Sequence, residues 1–370
     1  MKKTLFTIGI ISLLFSCDKE LKDQPESNII NLHHNELDLP DSLSSRRIQF
    51  ALQLKQDVAK KYWQWFGARQ TEGPFIYFNG DRSEVFFPDQ RVIDCLDDHH
   101  VHSKDYVVAN RTDSIPYHFE LMISFDKADE HKHFYQHPVQ QFISVEETET
   151  FIPSVNSTEW WITMVIHEMF HHFQYNTPKF LEYAKNEISL LPFNPNHMMQ
   201  LCRDDKNFMS LIQKENAILM KALEENDPSK MNDLISQFLD LRKERMKTYQ
   251  EDYPYLQKVE DYYVIQEGSA RYLEFQSMQI MSEYANNKSD HKIANDPMFD
   301  DLEGFKNIDL THPDFNYLTY AGPGQYHYTL GFNMMRLLDK IGVDYKADLL
   351  NNPEYGLHKY LRSYLQGQQI

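Results

Sequence analysis

The sequence predicts an α+β protein in which a small N-terminal β-sheet region precedes a mainly α-helical region. Between Pro74 and Phe151, short β-prone runs are separated by Gly, Pro, Asn and Asp, a pattern that is typical of a small sheet. From Ser157 onward, apolar residues recur at helical spacing over long segments, which indicates helices. We therefore expect a helix and a small sheet within 42–156, and a mainly helical region within 157–370.

The start of the chain resembles a bacterial lipoprotein signal. Two lysines precede the apolar stretch Leu5–Phe15, which is too short to span a membrane and has the layout of a secretory signal. The stretch leads to Cys17, and in such signals the chain is cut before a cysteine that is then acylated. We expect a signal peptide at 1–16 and a polar tether at 17–41, with lipidated Cys17 holding the exported protein on a membrane of the cell envelope, at its periplasmic or outer face.

The segments that follow the tether predict one helix and several strands. Apolar residues at helical spacing indicate an amphipathic helix from Leu43 to Phe66, with serines near its start that can cap it. The β-prone runs are Phe75–Phe78, Val85–Phe87, His118–Ile123 and Phe142–Val145. Histidine-rich tracts at 97–102 and 131–137 are expected to be polar loops, because neither has an apolar setting that would fix the geometry of a metal site.

The first predicted helix of the second region, from about Ser157 to Tyr175, contains a His-Glu-x-x-His sequence. His167 and His171 are four positions apart, so on a helix they lie on one face and both can bind one metal ion. Glu168 is placed to take a proton from a water molecule, as a general base does. The dense apolar residues around the motif predict a buried helix, which gives a metal site a rigid support.

A third ligand is expected downstream, because catalytic zinc usually has three protein ligands and one position for water. The best candidate is Glu267, which lies in an apolar segment and precedes Gly268 and Ala270. These small residues are expected to let the second helix approach the first, so that the carboxylate reaches the metal. If Glu267 is not a ligand, Glu274 and Glu260 are the next candidates.

The succession of His-Glu-x-x-His and Glu-Gly-x-Ala resembles the gluzincin group of zinc metallopeptidases. The resemblance covers about 157–342 through short motifs. It implies that His167, His171 and Glu267 hold one zinc ion and that Glu168 activates water for attack on a peptide bond. A peptide or protein is then the expected substrate.

Two features depart from better-known members of that group. The chain lacks the Gly-x-Met-Glu-Asn strand with which its aminopeptidases grip a free amino terminus, which favours an endopeptidase. The interval between His171 and Glu267 is much longer than in thermolysin-like enzymes. This interval predicts an insertion that includes helices at about 208–223 and 231–249.

A third segment, from Gln325 to Gly342, predicts an apolar helix that begins with Tyr326, His327 and Tyr328. Many gluzincin-like chains have Tyr-x-x-Gly at the start of such a helix. By that resemblance Tyr328 is a candidate donor of a hydrogen bond to the oxyanion that forms during hydrolysis, with Tyr326 or His327 as the alternative. Tyrosines that only pack in the core fit the same pattern.

Charge and cysteine content restrict the possible partners. The chain has 37 basic and 55 acidic side chains, a formal net charge of -18, and such a surface repels the phosphates of nucleic acids. Nucleic acid is therefore not an expected partner. Once Cys17 is assigned to lipid, Cys95 and Cys202 remain, and we expect both to be free thiols.

The sequence thus predicts an exported, lipid-anchored, zinc-dependent peptidase, and two alternatives stay open. The first is a binding or scaffold lipoprotein whose zinc site is structural or lost. The intact Glu168 counts against it, because a structural site has no use for a general base. The second is a zinc hydrolase of non-peptide amides or esters, which the sequence does not separate from a peptidase because the water chemistry is shared.

Overall fold

The computed structural model describes residues 37–68, 73–94, 96, 98–111, 119–122, 139–287, 293–308 and 325–367. The predicted signal peptide, Cys17, most of the tether, Cys95 and the histidine tract at 131–137 lie outside these residues. No helix within the described part combines the length and the apolar character that crossing a bilayer requires.

The chain is α+β, and its described residues divide into two units. One comprises Met1–Gln49 and Ala68–Asn156, and the other comprises Phe50–Gly67 and Ser157–Ile370. We call them the sheet unit and the helical unit. The division between 156 and 157 falls where the sequence changes from β-prone runs to helical spacing.

The sheet unit contains a six-stranded mixed sheet in the order β3-β4-β2-β1-β6-β5. Its strands are β1 (Phe75–Asn79), β2 (Arg82–Phe86), β3 (His100–Ser103), β4 (Tyr106–Asn110), β5 (Phe119–Met122) and β6 (Val139–Ile143). The β1–β6 pair is parallel, and the other pairs are antiparallel. The rings of Phe75 and Phe142 stack across the parallel pair with centroids 4.5 Å apart, so apolar packing fixes the register.

Strands β3 and β4 are absent from the sequence prediction. The tract at 97–102 was expected to be a loop, but its second half forms β3 at an edge of the sheet. His100, Val101 and His102 are all exposed, so this strand has no apolar alternation that the sequence would reveal. It forms because pairing with β4 satisfies its backbone groups.

The first helix, α1, spans Leu43–Tyr62, and a 3₁₀ turn at Gln64–Gly67 completes the predicted helical segment. The Ser42 hydroxyl accepts a hydrogen bond from the Ser45 backbone at 3.1 Å and caps the helix. The sequence predicts that all of this segment belongs with the sheet, whereas 50–67 belongs to the helical unit. The physical reason is aromatic packing within that unit, where Phe66 meets Phe170 with ring centroids 5.3 Å apart.

The remaining helices are mostly in the helical unit. Two short ones, α2 (Gln90–Ile93) and α3 (Val145–Phe151), are in the sheet unit. The others are α4 (Thr158–Tyr175), α5 (Pro178–Tyr183) with a π-helical turn at Ala184–Ile188, α6 (Pro195–Asp204), α7 (Lys206–Glu224), α8 (Pro228–Tyr249), α9 (Leu256–Asn286), α10 (Tyr326–Lys340), α11 (Lys346–Leu349) and α12 (Leu357–Leu365); further 3₁₀ turns lie at Glu303–Phe305 and Pro353–Tyr355.

The insertion expected between the two ligand segments includes α7 and α8. Both begin two or three residues before the predicted start, because an aspartate caps each one. Asp205 accepts from the backbone of Phe208 at 3.0 Å, and Asp227 accepts from the backbone of Lys230 at 3.1 Å. Cys202, near the end of α6, is buried and forms no disulfide with another described residue.

The long helix α9 packs against both α4 and α10, and two glycines set its distance from α10. A Cβ atom added to Gly268 would lie 2.4 Å from the Cα of Gly331, and one added to Gly331 would lie 2.3 Å from the carbonyl oxygen of Val264. The expectation that Gly268 lets α9 approach α4 was therefore wrong. Its small size serves the contact with α10, where two helix backbones touch.

Candidate metal centre

Helix α4 presents the two histidines of the motif side by side. Ser157 caps the helix, accepting from the backbone of Trp160, and the spacing of four brings His167 and His171 onto one face. Their Nε2 atoms are 3.0 Å apart. Each residue is only 6 % exposed, so the pair lies in the interior of the helical unit.

Helix α9 brings Glu267 to the same point. Its Oε2 atom lies 3.5 Å from Nε2 of His167 and 3.3 Å from Nε2 of His171. Two ligand atoms bound tetrahedrally to zinc at about 2.0–2.1 Å are themselves about 3.3 Å apart. The three atoms therefore already have the spacing of a zinc ligand set.

A carboxylate on α9 orients His167 from the other side of its ring. Nδ1 of His167 lies 3.0 Å from Oε2 of Glu274, and Arg271 donates to the other oxygen of Glu274 at 2.6 Å. Because a carboxylate only accepts hydrogen bonds, Nδ1 carries a proton, and Nε2 is the ring nitrogen that faces Glu267. Metal-binding histidines commonly have such a carboxylate partner.

A buried glutamine does the same for His171. Nδ1 of His171 lies 2.8 Å from Oε1 of Gln174, which is fully buried. The amide nitrogen of Gln174 donates to the carbonyl of Gln266 and to Ser269, each at 2.9 Å. These two contacts on α9 fix the amide orientation, so its oxygen faces Nδ1 of His171 and leaves Nε2 as the nitrogen that faces Glu267.

The centre therefore brings two imidazole nitrogens and a carboxylate oxygen together at 3.0–3.5 Å. Oε2 of Glu267 is buried and has no hydrogen bond of normal geometry among the described residues. Burial lowers the pKa of His167, but the Glu267 and Glu274 carboxylates outweigh burial and raise it to about 9. Burial raises the pKa of Glu267, but His171 and His167 hold it well below its usual range. Protons thus supply the charge that a metal ion would supply.

Glu168 occupies the position of a base beside this centre. His167, Glu168 and His171 each offer one ligand atom within 4.8 Å of the others. Glu168 follows His167 directly, so its side chain leaves the helix about 100° from the two imidazoles. It is half-buried whereas the histidines are buried, and this partial access to solvent suits a group that exchanges protons.

Of the two candidate tyrosines, the structure brings Tyr328 to the centre. Its ring is nearly parallel to that of His167, with an angle of 17° and centroids 6.2 Å apart. Burial raises the pKa of Tyr328 well above its usual range, as does Glu267, with which it forms a hydrogen bond. The Gly268–Gly331 contact explains the proximity, because it seats the first turn of α10 against the turn of α9 that carries Glu267.

Tyr326 points elsewhere, because a residue two positions away on a helix is turned by about 200°. It is fully buried, and its hydroxyl donates to Glu260 at 2.7 Å and lies 3.7 Å from the sulfur of Met198. His327 is also buried, and its Nδ1 has no partner among the described residues. Burial lowers the pKa of His327 to about 4, so the imidazole is neutral.

The other glutamates named from the sequence have different places. Glu260 forms ion pairs with Arg242 and Arg245 in a separate buried network. Glu274 orients His167 instead of facing the Nε2 atoms. Gln174 and Ser269 were missed, although Gln174 is three residues after His171 and so near the same face of α4.

Comparison with known proteins gave no matching family model, no matching curated protein and no matching solved structure.

Proposed function

We propose that the protein is a zinc-dependent hydrolase of peptide bonds whose helical unit is a zincin-like catalytic region. The observation that carries the proposal is the convergence of two imidazole nitrogens and one orphaned carboxylate oxygen at separations of 3.0–3.5 Å. Two nitrogen ligands and one oxygen ligand, with hydrogen-bonded groups behind both histidines, suit zinc.

In this proposal His167, His171 and Glu267 hold the metal, and Glu168 is the general base. Bound zinc would supply Lewis acidity, which makes water more acidic and a substrate carbonyl more electrophilic. Glu168 takes the proton of the attacking water and passes it to the leaving amine. The buried contacts of His167 and His171 hold both rings in place during turnover.

Tyr328 is the proposed donor to the oxyanion, because its hydroxyl already bonds to the ligand Glu267. Replacing Tyr328 with Phe should lower kcat by about 10- to 100-fold with a small change in KM. Tyr326→Phe is the matched variant and should lower thermal stability instead, because it leaves Glu260 with one hydrogen bond fewer. Equal kinetic losses in both variants would remove Tyr328 from the mechanism.

A catalytic site fits better than a structural one. A closed structural site needs a fourth protein ligand, and His172, which follows His171 in the sequence, has both ring nitrogens near the Asn176 amide, at 3.0 and 3.1 Å. Three ligands leave a position for water beside Glu168. A scaffold protein does not require such a water position next to a base.

The first test is the metal content of the purified protein, measured by plasma mass spectrometry. About one zinc per chain is expected, and His171→Ala should lose it. His172→Ala removes the neighbouring buried histidine and should keep the metal. A correctly folded wild-type protein that holds no zinc after zinc is supplied would contradict the proposal, as would equal zinc in both variants.

The second test concerns the bond that is cleaved. Fluorogenic peptides with blocked and free amino termini should be compared with small amides and esters. Faster cleavage of blocked peptides at internal bonds is expected for an endopeptidase. Turnover of small amides or esters alone would favour the alternative hydrolase, since the same water chemistry serves both.

We also propose that the protein is exported and anchored by lipid on Cys17, because an apolar stretch after two lysines leads to that cysteine. Cys17→Ser should move the protein from the membrane fraction to the soluble fraction. Continued membrane association of that variant would contradict the anchor.

A further inference from the structure

The helical unit has a cavity of about 800 Å³ between α8, the start of α9 and α12, lined by residues other than those of the metal centre. This volume is within the range of ligand sites in proteins, about 300–1,000 Å³. Residues of α8 from Ser236 onward and the following Gln250 form one wall, and residues of α12 from His358 onward and the following Gln366 form the other. We call this feature the α8–α12 groove.

Both walls of the groove carry positive charge. Lys243 and Lys247 lie four apart on α8, and Lys359 and Arg362 lie three apart on α12, so each pair lies on one helix face. Within the described residues none of these four side chains forms an ion pair. Asp240 is the one acidic residue among the described residues that line the groove.

This concentration of cations contrasts with the rest of the chain, whose formal net charge is -18. At several other surface positions a cation has a carboxylate close by, as in Arg111–Glu147 at 3.0 Å and Lys258–Glu187 at 2.6 Å. Cations on two facing walls produce a positive potential that a concave shape focuses. The groove therefore favours an anionic ligand.

The deepest charges of the groove are already neutralised. Arg242 donates to Asp261 at 2.8 Å and to Glu260 at 3.2 Å, and Nδ1 of His358 lies 3.0 Å from the same Asp261. The positive charge left for a ligand is thus on the rim, at Lys243, Lys247, Lys359 and Arg362. A ligand must therefore place its negative charges at the rim of the groove and groups without charge toward the floor.

The floor and ends of the groove are apolar or carry amide groups. Apolar contributions come from Leu239, Met246, Leu256 and Leu365, and amides come from Gln250, Gln257 and Gln366. A glutamine amide both donates and accepts hydrogen bonds, as a peptide backbone requires, whereas a phosphate only accepts from its surroundings. A peptide that combines acidic and apolar side chains satisfies the rim, the floor and the amides together.

We propose that the α8–α12 groove binds an acidic peptide segment, with carboxylates at the lysines and Arg362 and apolar side chains against the floor. Binding does not require hydrolysis, so the proposal stands apart from the chemistry of the metal centre. It adds a recognition surface to the helical unit.

The test is fluorescence anisotropy with a fluorescein-labelled peptide of alternating Glu and Leu, and with the same peptide carrying Gln for Glu. The full-length wild-type chain should bind the Glu peptide, and added salt should weaken binding. The double variant Lys243→Glu/Arg362→Glu should bind at least about tenfold more weakly. Mass spectrometry after each titration verifies that the peptide is intact.

The control double variant is Lys214→Glu/Lys230→Glu, which makes nearly the same charge change at exposed positions outside the groove. It should bind the Glu peptide within about twofold of the wild type. Equal weakening in both double variants would overturn the proposal in favour of bulk charge, as would equal binding of the Gln peptide or no binding at all. Displacement by inorganic pyrophosphate before any displacement by unlabelled Glu peptide would assign the groove to phosphate instead.

Discussion

Two buried clusters of charge in the helical unit show opposite ways of satisfying a carboxylate. In the ion network, Arg245 on α8 bonds to Glu215 of α7 at 2.6 Å and to Glu260 of α9 at 2.7 Å, and all three side chains are fully buried. In the metal centre, Glu267 faces the imidazoles of His167 and His171 at 3.5 and 3.3 Å. Burial is similar, but only the network contains its own permanent positive charge.

The difference appears in what each cluster lacks. Burial raises the pKa of Glu260, but Arg245 and Arg242 outweigh it and lower that pKa to about 2. Tyr326 adds a hydrogen bond, so the network is complete. In the metal centre, Oε2 of Glu267 has no hydrogen bond of normal geometry among the described residues. A cluster whose carboxylates are paired with arginine is expected to contribute to stability and to the specificity of the fold. A cluster whose carboxylate has no such partner is expected to bind a ligand.

The largest effect is expected from Glu168→Gln, which leaves the ligands of the metal centre unchanged and removes the base. Turnover should fall by about 10²–10⁴-fold, because the water loses its proton acceptor. Zinc content and thermal stability should stay close to the wild-type values. Kinetics with a fluorogenic peptide and plasma mass spectrometry on the same sample give both quantities.

Two results would break the assignment. Full activity in a zinc-loaded Glu168→Gln protein would mean that another group is the base. Loss of both zinc and activity would mean that Glu168 is itself a metal ligand. This outcome is tested because the ligand atom of Glu168 lies within 4.8 Å of the ligand atoms of both histidines.

A substitution in the ion network should lower the stability of the protein, whereas a substitution of Glu168 should lower its activity. Arg245→Met leaves Glu215 and Glu260 buried without their main cation, and the free energy of unfolding should fall by about 3–5 kcal/mol. Lys258→Met breaks an ion pair with Glu187 whose side chains are 36 % and 55 % exposed, and should cost less than about 1 kcal/mol. Urea unfolding followed by circular dichroism measures both. Similar decreases in the free energy of unfolding in the two variants would show that the buried network does not stabilise the protein more than a surface ion pair does.

A smaller effect is expected from Glu274→Gln, which weakens the support of His167 without touching the ligands. Zinc affinity should fall by about 10- to 100-fold, measured by competition with a chromophoric chelator. Glu283→Gln, on the same helix and paired with Lys61 at the surface, is the control and should bind zinc normally. An unchanged affinity in Glu274→Gln would mean that this carboxylate serves only Arg271.

The local parts of the metal centre could be predicted from the sequence. The spacing of His167 and His171 fixes a shared face on any helix, whereas the small Gly268 after Glu267 predicted a close helix contact but with the wrong partner, α4 instead of α10. The choice between Tyr326 and Tyr328 could not be made, because it depends on how α10 is rotated against α9. That rotation is set by Gly331 meeting Gly268, a contact between residues far apart in the chain.

The same limit explains the other differences. Gln174 supports His171 only because α9 supplies the carbonyl of Gln266 and the hydroxyl of Ser269, so its role is tertiary. Strand β3 has exposed side chains throughout, and only its pairing with β4 defines it. The spacing of apolar residues in the sequence, in contrast, is enough to predict helices. Helices α4, α7, α8 and α10 match the predicted segments to within a few residues.

A third buried carboxylate belongs in this comparison, and the change in stability expected from replacing it is the smallest. Glu159, in the first turn of α4, is fully buried, and neither of its oxygens has a hydrogen bond of normal geometry among the described residues. Burial raises its pKa to about 7, outweighing weaker contacts from Ser157 and from the backbone of Asp300 that lower it. Glu159 therefore takes up a proton where Glu260 has arginine and Glu267 would have a metal ion.

Because this pKa is higher in the folded state than in the unfolded chain, folding is favoured at low pH by the proton on Glu159. That contribution is complete below about pH 4.5 and is lost as the pH rises through about 7. Glu159→Gln keeps the shape and removes the titration. The melting temperature of the variant relative to wild type should therefore rise between pH 5 and pH 8, and a difference that stays constant would show that Glu159 is ionised in the folded protein at both pH values.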